Sequence, residues 1–255
     1  MDGLINFNKP VGITSAKALY RVRAITRQRK SGHAGTLDPA ASGVLLLCLG
    51  KGTKLVERLM DQPKVYRTTA RLDVTSESFD SDRPLIPVPV ATPPERETVV
   101  EALAKFEGII EQVPPAISAI KVGGVPSYKL AARDQAQPLK ARPVKIDWIR
   151  LHAYDWPMID FEMCCGRGTY VRSLIRDLGI ALETGGCLTS LARTRVGPFE
   201  IEQGWTLDRL EKATPADYLI PLEHLVTMLE TRSMPRDRRW EAGLQGFRTA
   251  LQWLT

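Results

Sequence analysis

The hydrophobic pattern of this chain changes its period at Lys64, and that change limits the folds that the chain can adopt. Before this point, apolar residues recur at helical spacing after Thr14, and residues 44–49 form a short apolar run typical of a buried strand. After it, side chains alternate between two faces, as on a half-buried strand. The positions of one face are Tyr66, Thr68, Ala70, Leu72 and Val74.

Helix and strand patterns are intermixed along the rest of the chain. Residues 116–122, 145–154 and 158–165 favour strands, and a helical pattern runs from Thr169 to the glycine pair 185–186. These elements do not follow a regular strand–helix–strand rhythm. We therefore expect an α+β fold, with a mostly antiparallel mixed sheet flanked by helices.

Composition narrows the class of partner and the compartment. The net charge is +6 and the pI about 9.2, which favours an acidic partner, nucleic acid first. The four cysteines form no CxxC pair and the three histidines lack metal-ligand spacing, so we expect no metal site. The N-terminus lacks a signal-peptide pattern, and the run 44–49 is too short to cross a membrane. A cytoplasmic protein without membrane contact is expected.

One carboxylate, Asp38, follows a long basic stretch. It is the first acidic residue after Asp2, and it lies in the run His-Ala-Gly-Thr-Leu-Asp-Pro at 33–39. A basic stretch can hold a polyanion by neutralising phosphates, and a carboxylate beside it can act on what is held. Asp-Pro is also ordinary turn chemistry, and a basic helix face can simply be solvated. The basic residues are Lys9, Lys17, Arg21, Arg23, Arg27, Arg29 and Lys30.

Four later residues are further candidates for a site. Tyr66 begins the alternating strand, and Tyr170 and Arg172 open a helix after a glycine turn. An arginine in that position can pair with a carboxylate and keep it ionised, or contact phosphate, or lie on the surface. Tyr66 and Leu191, taken alone, are equally compatible with core packing.

Five ordered blocks give the chain a resemblance to the TruB family of tRNA pseudouridine synthases, over about residues 1–220. The blocks and their positions are NKPVGITS at 8–15, GHAGTLDP at 32–39, KVY at 64–66, PP followed by SAIK at 114–121, and GTYVRSL at 168–174. This resemblance implies the pseudouridine synthase fold. It also implies an isomerase that converts uridine 55 in the TΨC loop of tRNA to pseudouridine, as in the stand-alone bacterial type.

The resemblance also assigns roles to the candidate residues. Asp38 is implied as the catalytic aspartate, Arg172 as its ion-pair partner, and Tyr66 as a ring that stacks on the base and acts as general acid or base. Tyr170 and Leu191 are implied to complete the pocket for a flipped base.

Other residues are implied to contact the RNA. His33 is expected to enter the RNA loop and to occupy the space that the base leaves. Lys9, Arg27, Arg29 and Lys30 are expected to contact the T arm of the tRNA. Neither a cofactor nor a metal nor a protein partner is required, and a monomer is expected.

The C-terminal part departs from the family pattern. The resemblance implies a catalytic domain over residues 1–225, whereas the short segment 226–255 is too small for the RNA-binding barrel that relatives carry. A remnant of that barrel, a short helix and a disordered segment are the alternatives for it. Nearer the site, Ala192 and Arg193 replace the arginine pair that the family favours. Two alternatives remain: a tRNA-folding chaperone in which catalysis is secondary, and a synthase that acts on another RNA.

Overall fold

The structure is a computed structural model that describes residues 1–118, 120–127, 130, 133, 135 and 139–231. Of the predicted C-terminal segment, residues 232–255 lie outside the described part of the chain. The barrel remnant and its alternatives therefore stay predictions.

A large sheet organises the described residues and confirms the expected α+β class. Its path is β14-β1-β3-β12-β4-β11-β10-β7, with β2 paired to β3 and β13 paired to β12. The pairs are antiparallel except β3 with β12, which run parallel at Ala192 and Arg193. The strands are β1 (Gly3–Lys9), β2 (Ser31–Ala34), β3 (Ser42–Leu49), β4 (Lys64–Arg71), β5 (Val74–Thr75), β6 (Ile86–Pro87), β7 (Gly108–Gln112), β8 (Lys121–Val122), β9 (Val125–Pro126), β10 (Arg142–Asp155), β11 (Met158–Cys165), β12 (Cys187–Val196), β13 (Phe199–Glu200) and β14 (Ile220–Pro221).

Helices flank this sheet, as the sequence predicts. The first is capped by the Thr14 side chain, which accepts a hydrogen bond from the Lys17 backbone N–H. Among helices in the part of the chain that the structure describes, none is both long and apolar enough to cross a lipid bilayer. The helices are α1 (Ser15–Thr26), α2 (Val56–Met60), α3 (Arg96–Ala104), α4 (Val171–Ala181), α5 (Leu207–Lys212), α6 (Pro215–Tyr218) and α7 (Leu222–Thr231), with 3-10 turns at Gly50–Leu55 and Ile201–Gln203.

The core has three clusters of buried side chains: one packs α2 and α7 against β1 and β3, and the other two meet at the middle of the sheet. Of these two parts, one packs α3 and α4 against β4, β10 and β11, and the other packs α1 and α5 against β1 and β3. Tyr66 and Leu191 are partly buried and contact both parts. The strands that carry them, β4 and β12, therefore bring side chains to the junction between the two halves.

The predicted strand at 116–122 is wrong over most of its described residues, since among these only Lys121 and Val122, which form β8, are in a strand. Residues 113–118 are irregular because their carbonyl groups serve α4 instead of a neighbouring strand. The Ser173 hydroxyl donates to the Val113 carbonyl at 2.9 Å, and Arg172 donates to the Ile117 carbonyl at 3.0 Å. This segment therefore fixes the position of the start of α4.

Candidate active site

A cleft of about 460 Å³ lies at the junction of the two core halves. It brings together five residues that the sequence singled out, from the loop after β2, from β4, from the start of α4 and from β12. These residues are Asp38, Tyr66, Tyr170, Arg172 and Leu191. In the described residues, no group of three or more His, Cys, Asp or Glu side chains has a metal-binding arrangement.

The loop that carries Asp38 is tied to the start of α1. The Ser15 hydroxyl donates to the Leu37 carbonyl at 3.0 Å and accepts from the Leu37 N–H at 2.8 Å. A backbone bond from Gly12 to the Pro39 carbonyl, at 2.8 Å, closes the other side. Leu37 itself is buried in the core. The Asp38 carboxylate therefore stands on a fixed turn, while its side chain keeps 41% exposure toward the cleft.

Arg172 faces this carboxylate from the first turn of α4. Its Nη2 lies 2.8 Å from the Asp38 Oδ2, and its side chain is only 6% exposed. The same guanidinium donates to the carbonyl oxygens of Ile117, at 3.0 Å, and Ser78, at 3.3 Å. The positive end of the helix dipole does not favour a cation at this position. The Asp38 carboxylate and the two carbonyls offset this unfavourable interaction, and they hold the guanidinium in one orientation.

The loop that supplies Ser78 is held by its own hydroxyl groups. Ser76 Oγ donates to the Asp80 carbonyl at 2.8 Å, and the Asp80 N–H donates back to Ser76 Oγ at 3.0 Å. Ser78 Oγ donates to Asp82 at 2.6 Å. Burial, and then the neighbouring Asp82, raise the pKa of Asp80 above its ordinary value. This loop thus builds the wall against which Arg172 rests.

Gln112, at the end of β7, positions the residue that precedes α4. Its Oε1 accepts from the Tyr170 N–H at 2.9 Å, and its Nε2 donates to the Tyr170 carbonyl at 3.2 Å. The Gln112 side chain is buried, and its amide pairs with the Tyr170 N–H and carbonyl as the backbone of a neighbouring strand would. Burial also raises the pKa of the Tyr170 phenol. The phenol therefore stays neutral and lies at the cleft wall.

Tyr66 and Arg193 form an opposed pair on β4 and β12. They lie directly across from each other in the antiparallel register, so their side chains share one face of the sheet. Burial raises the pKa of the Tyr66 phenol, and the charge of Arg193 acts in the opposite direction, as does a hydrogen bond from its side chain. Leu191 lies beside them on β12 and gives the cleft an apolar surface.

Two lysines near the cleft are buried, which corrects one sequence expectation. Lys9 was expected to contact RNA, but its side chain is fully buried and its ammonium donates to the carbonyls of Pro10, at 2.9 Å, and Ile13, at 2.8 Å. Burial lowers the pKa of Lys9 to about 8. Lys64 lines the cleft, donates to the Met60 carbonyl and also has its pKa lowered to about 8 by burial.

The other predicted RNA contacts have different positions. Arg27, Arg29 and Lys30 are exposed, in the turn between α1 and β2. His33 lies on β2 opposite Leu47 and is not part of the cleft wall. Burial and the charge of Arg193 lower the pKa of His33, so the imidazole is neutral at pH 7.

Sequence reasoning missed three of the residues that build this site. Lys64 and Gln112 carried no chemical pattern of their own, although Lys64 belongs to the block at 64–66. Arg193 was noted only as half of a missing arginine pair. Residues 187–196 mix apolar and polar side chains, so no local pattern indicates that Arg193 is buried. Its partners are far away in sequence, and only the register of β12 identifies them.

Comparison with known proteins places these residues in one family. A family model described as "TruB family pseudouridylate synthase (N terminal domain)" matches residues 23–171. A second, described as "tRNA pseudouridylate synthase B C-terminal domain", matches residues 172–229. The boundary between the two falls at the start of α4, while the sheet continues across it.

Individual relatives of the chain agree with this family assignment. The tRNA pseudouridine synthase B of Clostridium kluyveri is 36% identical over 223 residues, which is 88% of this chain and 77% of that protein. The tRNA pseudouridine synthase B of Geobacter sulfurreducens is 38% identical, over 86% of this chain and 72% of that protein.

Solved structures share the fold. A chain of a Cbf5-Nop10-Gar1 complex superposes with a TM-score of 0.68 and 28% identity, over 89% of this chain and 62% of that chain. A chain of the archaeal box H/ACA sRNP Nop10-Cbf5 complex gives a TM-score of 0.61 and 28% identity, over 82% of this chain and 53% of that chain. This chain thus spans less than two thirds of either.

Proposed function

Since this chain belongs to the TruB family of pseudouridylate synthases, we propose that it converts uridine 55 in the TΨC loop of tRNA to pseudouridine. The observation that carries the proposal is the Asp38–Arg172 pair in the cleft, with an Nη2–Oδ2 distance of 2.8 Å. The reaction breaks the bond between C1′ and N1, turns the uracil and joins C1′ to C5. It needs one anionic group at the junction of sugar and base, and Asp38 is that group.

Arg172 and Asp38 have different roles because one side chain is buried and the other is exposed to the cleft. The guanidinium is buried and has three acceptors, so it cannot follow the substrate, whereas the carboxylate keeps 41% exposure and can meet the sugar. A preorganised charge of this kind does not have to reorient during the reaction. In our proposal Asp38 is the catalytic nucleophile or base, and Arg172 holds it in its attacking orientation.

The remaining cleft residues receive the base. An extruded base loses its stacking, at a cost of about a few kcal/mol, and an aromatic and apolar pocket offsets that cost. Tyr66 supplies an aromatic face and a hydroxyl that acts as general acid or base, while Tyr170 and Leu191 close the pocket. His33 lies outside this pocket, and we assign it to the RNA loop from which the base departs.

The T arm is recognised by shape and by phosphate contacts. Arg27, Arg29 and Lys30 are exposed together and form a basic surface at the end of α1. Replacing one of these side chains with alanine should reduce the slope of log K against log salt by about 1. Within the proposal the chain acts as a monomer over a catalytic domain of residues 1–225, without a cofactor or a protein partner.

Tritium release from tRNA transcript labelled with [5-³H]uridine tests the proposal, because joining C1′ to C5 must displace the hydrogen at C5. We expect release by the wild type and none by Asp38→Asn. Asp177→Asn is the matched control, since Asp177 pairs with Arg176 outside the cleft and its substitution should leave release intact. A transcript with cytidine at position 55 should give no release.

The same experiment separates the alternatives. A well-folded protein that binds and refolds tRNA but releases no tritium would be a chaperone. Release that persists with cytidine at position 55 would mean that another uridine is the target.

A further inference from the structure

Arg193 is a buried cation at the centre of the sheet, and its hydrogen-bond acceptors are neutral oxygens. Its side chain is 1% exposed and is among the largest fully buried side chains of the described residues. Nε donates to the Val44 carbonyl at 2.7 Å, and Nη2 donates to the Gly35 carbonyl at 3.0 Å. Within the described ranges of the chain, none of the ion pairs includes Arg193. A buried charge with this set of partners is expensive to desolvate, so stability alone is a poor explanation for it.

The position of this guanidinium connects three parts of the site. Gly35 begins the turn that carries Asp38 and has a φ of +93°, which a residue with a side chain rarely adopts. Val44 lies on β3, at the parallel junction with β12. Tyr66 lies on β4, opposite Arg193 itself. One planar group with several donors therefore spans the aspartate turn, the parallel junction and the tyrosine.

The charge of Arg193 also reaches the Tyr66 phenol. Burial raises the pKa of Tyr66, and the charge of Arg193 and its hydrogen bond oppose that effect. Both residues line the same cleft as Asp38. The guanidinium thus acts on the Tyr66 hydroxyl within the lining of the cleft that also holds Asp38.

We propose that Arg193 is a positioning residue for this reaction: its buried guanidinium fixes the Tyr66 hydroxyl relative to the turn that carries Asp38. This inference rests on the proposed function for its catalytic consequence, but the positioning itself is a property of the free protein. Lysine at this position keeps the charge and loses the planar fork. Methionine loses both.

The first test uses turnover in a double-mutant cycle. Arg193→Lys should lower the single-turnover rate constant by about 10-fold or more and change the Kd for tRNA by less than about threefold. A misplaced catalytic group affects the chemical step and not binding. In a Tyr66→Phe background the same substitution should cost about threefold or less, since the hydroxyl on which it acts is gone. Equal losses in both backgrounds, or a loss confined to Kd, would overturn the inference.

The second test needs no turnover and uses the full chain labelled with 3-fluorotyrosine. The chain has six tyrosines, and the Tyr66 resonance is assigned by its disappearance in Tyr66→Phe. Arg193→Lys should shift this fluorine resonance, and Arg193→Met should move the phenol titration to higher pH. The matched control is Arg67→Lys, one residue from Tyr66 on the other face of β4, where Arg67 pairs with Asp160.

These two tests separate the inference from the proposed function. A wild type without turnover, together with a Tyr66 resonance that responds only to Arg193, would reject the function and keep the positioning. A resonance and a titration that do not respond to either Arg193 variant would reject the positioning, whatever the turnover. If Arg193→Met does not fold, the lysine variant still decides both tests.

Discussion

Replacing Arg172 with methionine separates its catalytic from its structural contribution. The variant loses the ion pair with Asp38 and the bonds to the Ser78 and Ile117 carbonyls. Loss of one preorganised charged donor from an active site costs about 10²–10³-fold in kcat. We expect a loss of this size in single-turnover tritium release, because the carboxylate is no longer held toward the sugar.

The loss of stability should be small by comparison. Two bonds to neutral carbonyls contribute about 0.5–1.5 kcal/mol each. The ion pair adds less than about 1 kcal/mol, since the Asp38 side chain is 41% exposed and solvent screens it. Methionine also avoids the desolvation of a buried charge. We therefore expect the free energy of unfolding in urea to fall by about 1–2 kcal/mol.

Arg176→Met is the matched control on the same helix. Arg176 also pairs with an aspartate, Asp177, at 2.8 Å, and also donates to a carbonyl of the 113–118 segment, at 2.9 Å. It does not line the cleft. We expect a comparable loss of stability and a kcat within about threefold of the wild type. Equal kcat losses in both variants, or a kcat of Arg172→Met near that of the wild type, would refute the reasoning.

Three further predictions concern the scaffold around the cleft. Gln112→Leu removes both bonds to the Tyr170 backbone and should lower the free energy of unfolding in urea by about 2 kcal/mol, with a lower kcat; an unchanged kcat would contradict its positioning role. Lys9→Met should change the pH dependence of the free energy of unfolding. Between pH 8 and 10.5 the unfolded wild type binds a proton that the folded wild type has released, so the stability of the wild type relative to this variant should rise by about 2–3 kcal/mol over that range. Urea titrations at several pH values measure this difference. Gly179→Ala should lower the melting temperature although alanine favours helices, because its Cβ would lie 2.4 Å from the Gly185 carbonyl oxygen; a higher melting temperature would show that this contact relaxes.

Local patterns predicted the elements of the fold well where their cause is local. The helical spacing of apolar residues after Thr14 predicted α1, and the Thr14 cap that starts this helix needs only the next three residues. The apolar run 44–49 predicted β3, because a strand buried on both faces must be apolar throughout. The irregular segment 113–118 could not be predicted, since its carbonyls bond to side chains of a helix that lies far away in sequence.

In the candidate site, too, local patterns identify residues but not the contacts between residues that lie far apart in sequence. The blocks located Asp38 and Arg172, but no local pattern gives their separation, which depends on the sheet register and on the turn held by Ser15. Lys9 belongs to a basic stretch in sequence, and its burial follows from the chain reversal at 10–13, where its ammonium meets two carbonyls. The role of Arg193 depends on the pairing of β12 with β4, which no local pattern specifies.

Position-resolved detection of pseudouridine tests the central claim most directly. Unlabelled tRNA transcript is incubated with wild-type or Asp38→Asn protein, treated with a carbodiimide that marks pseudouridine, and read by primer extension. Our account predicts one new stop, directly 3′ of position 55, with the wild type and none with Asp38→Asn. The same stop with Asp38→Asn at the wild-type rate, or no stop with a folded wild type that binds the tRNA, would contradict it.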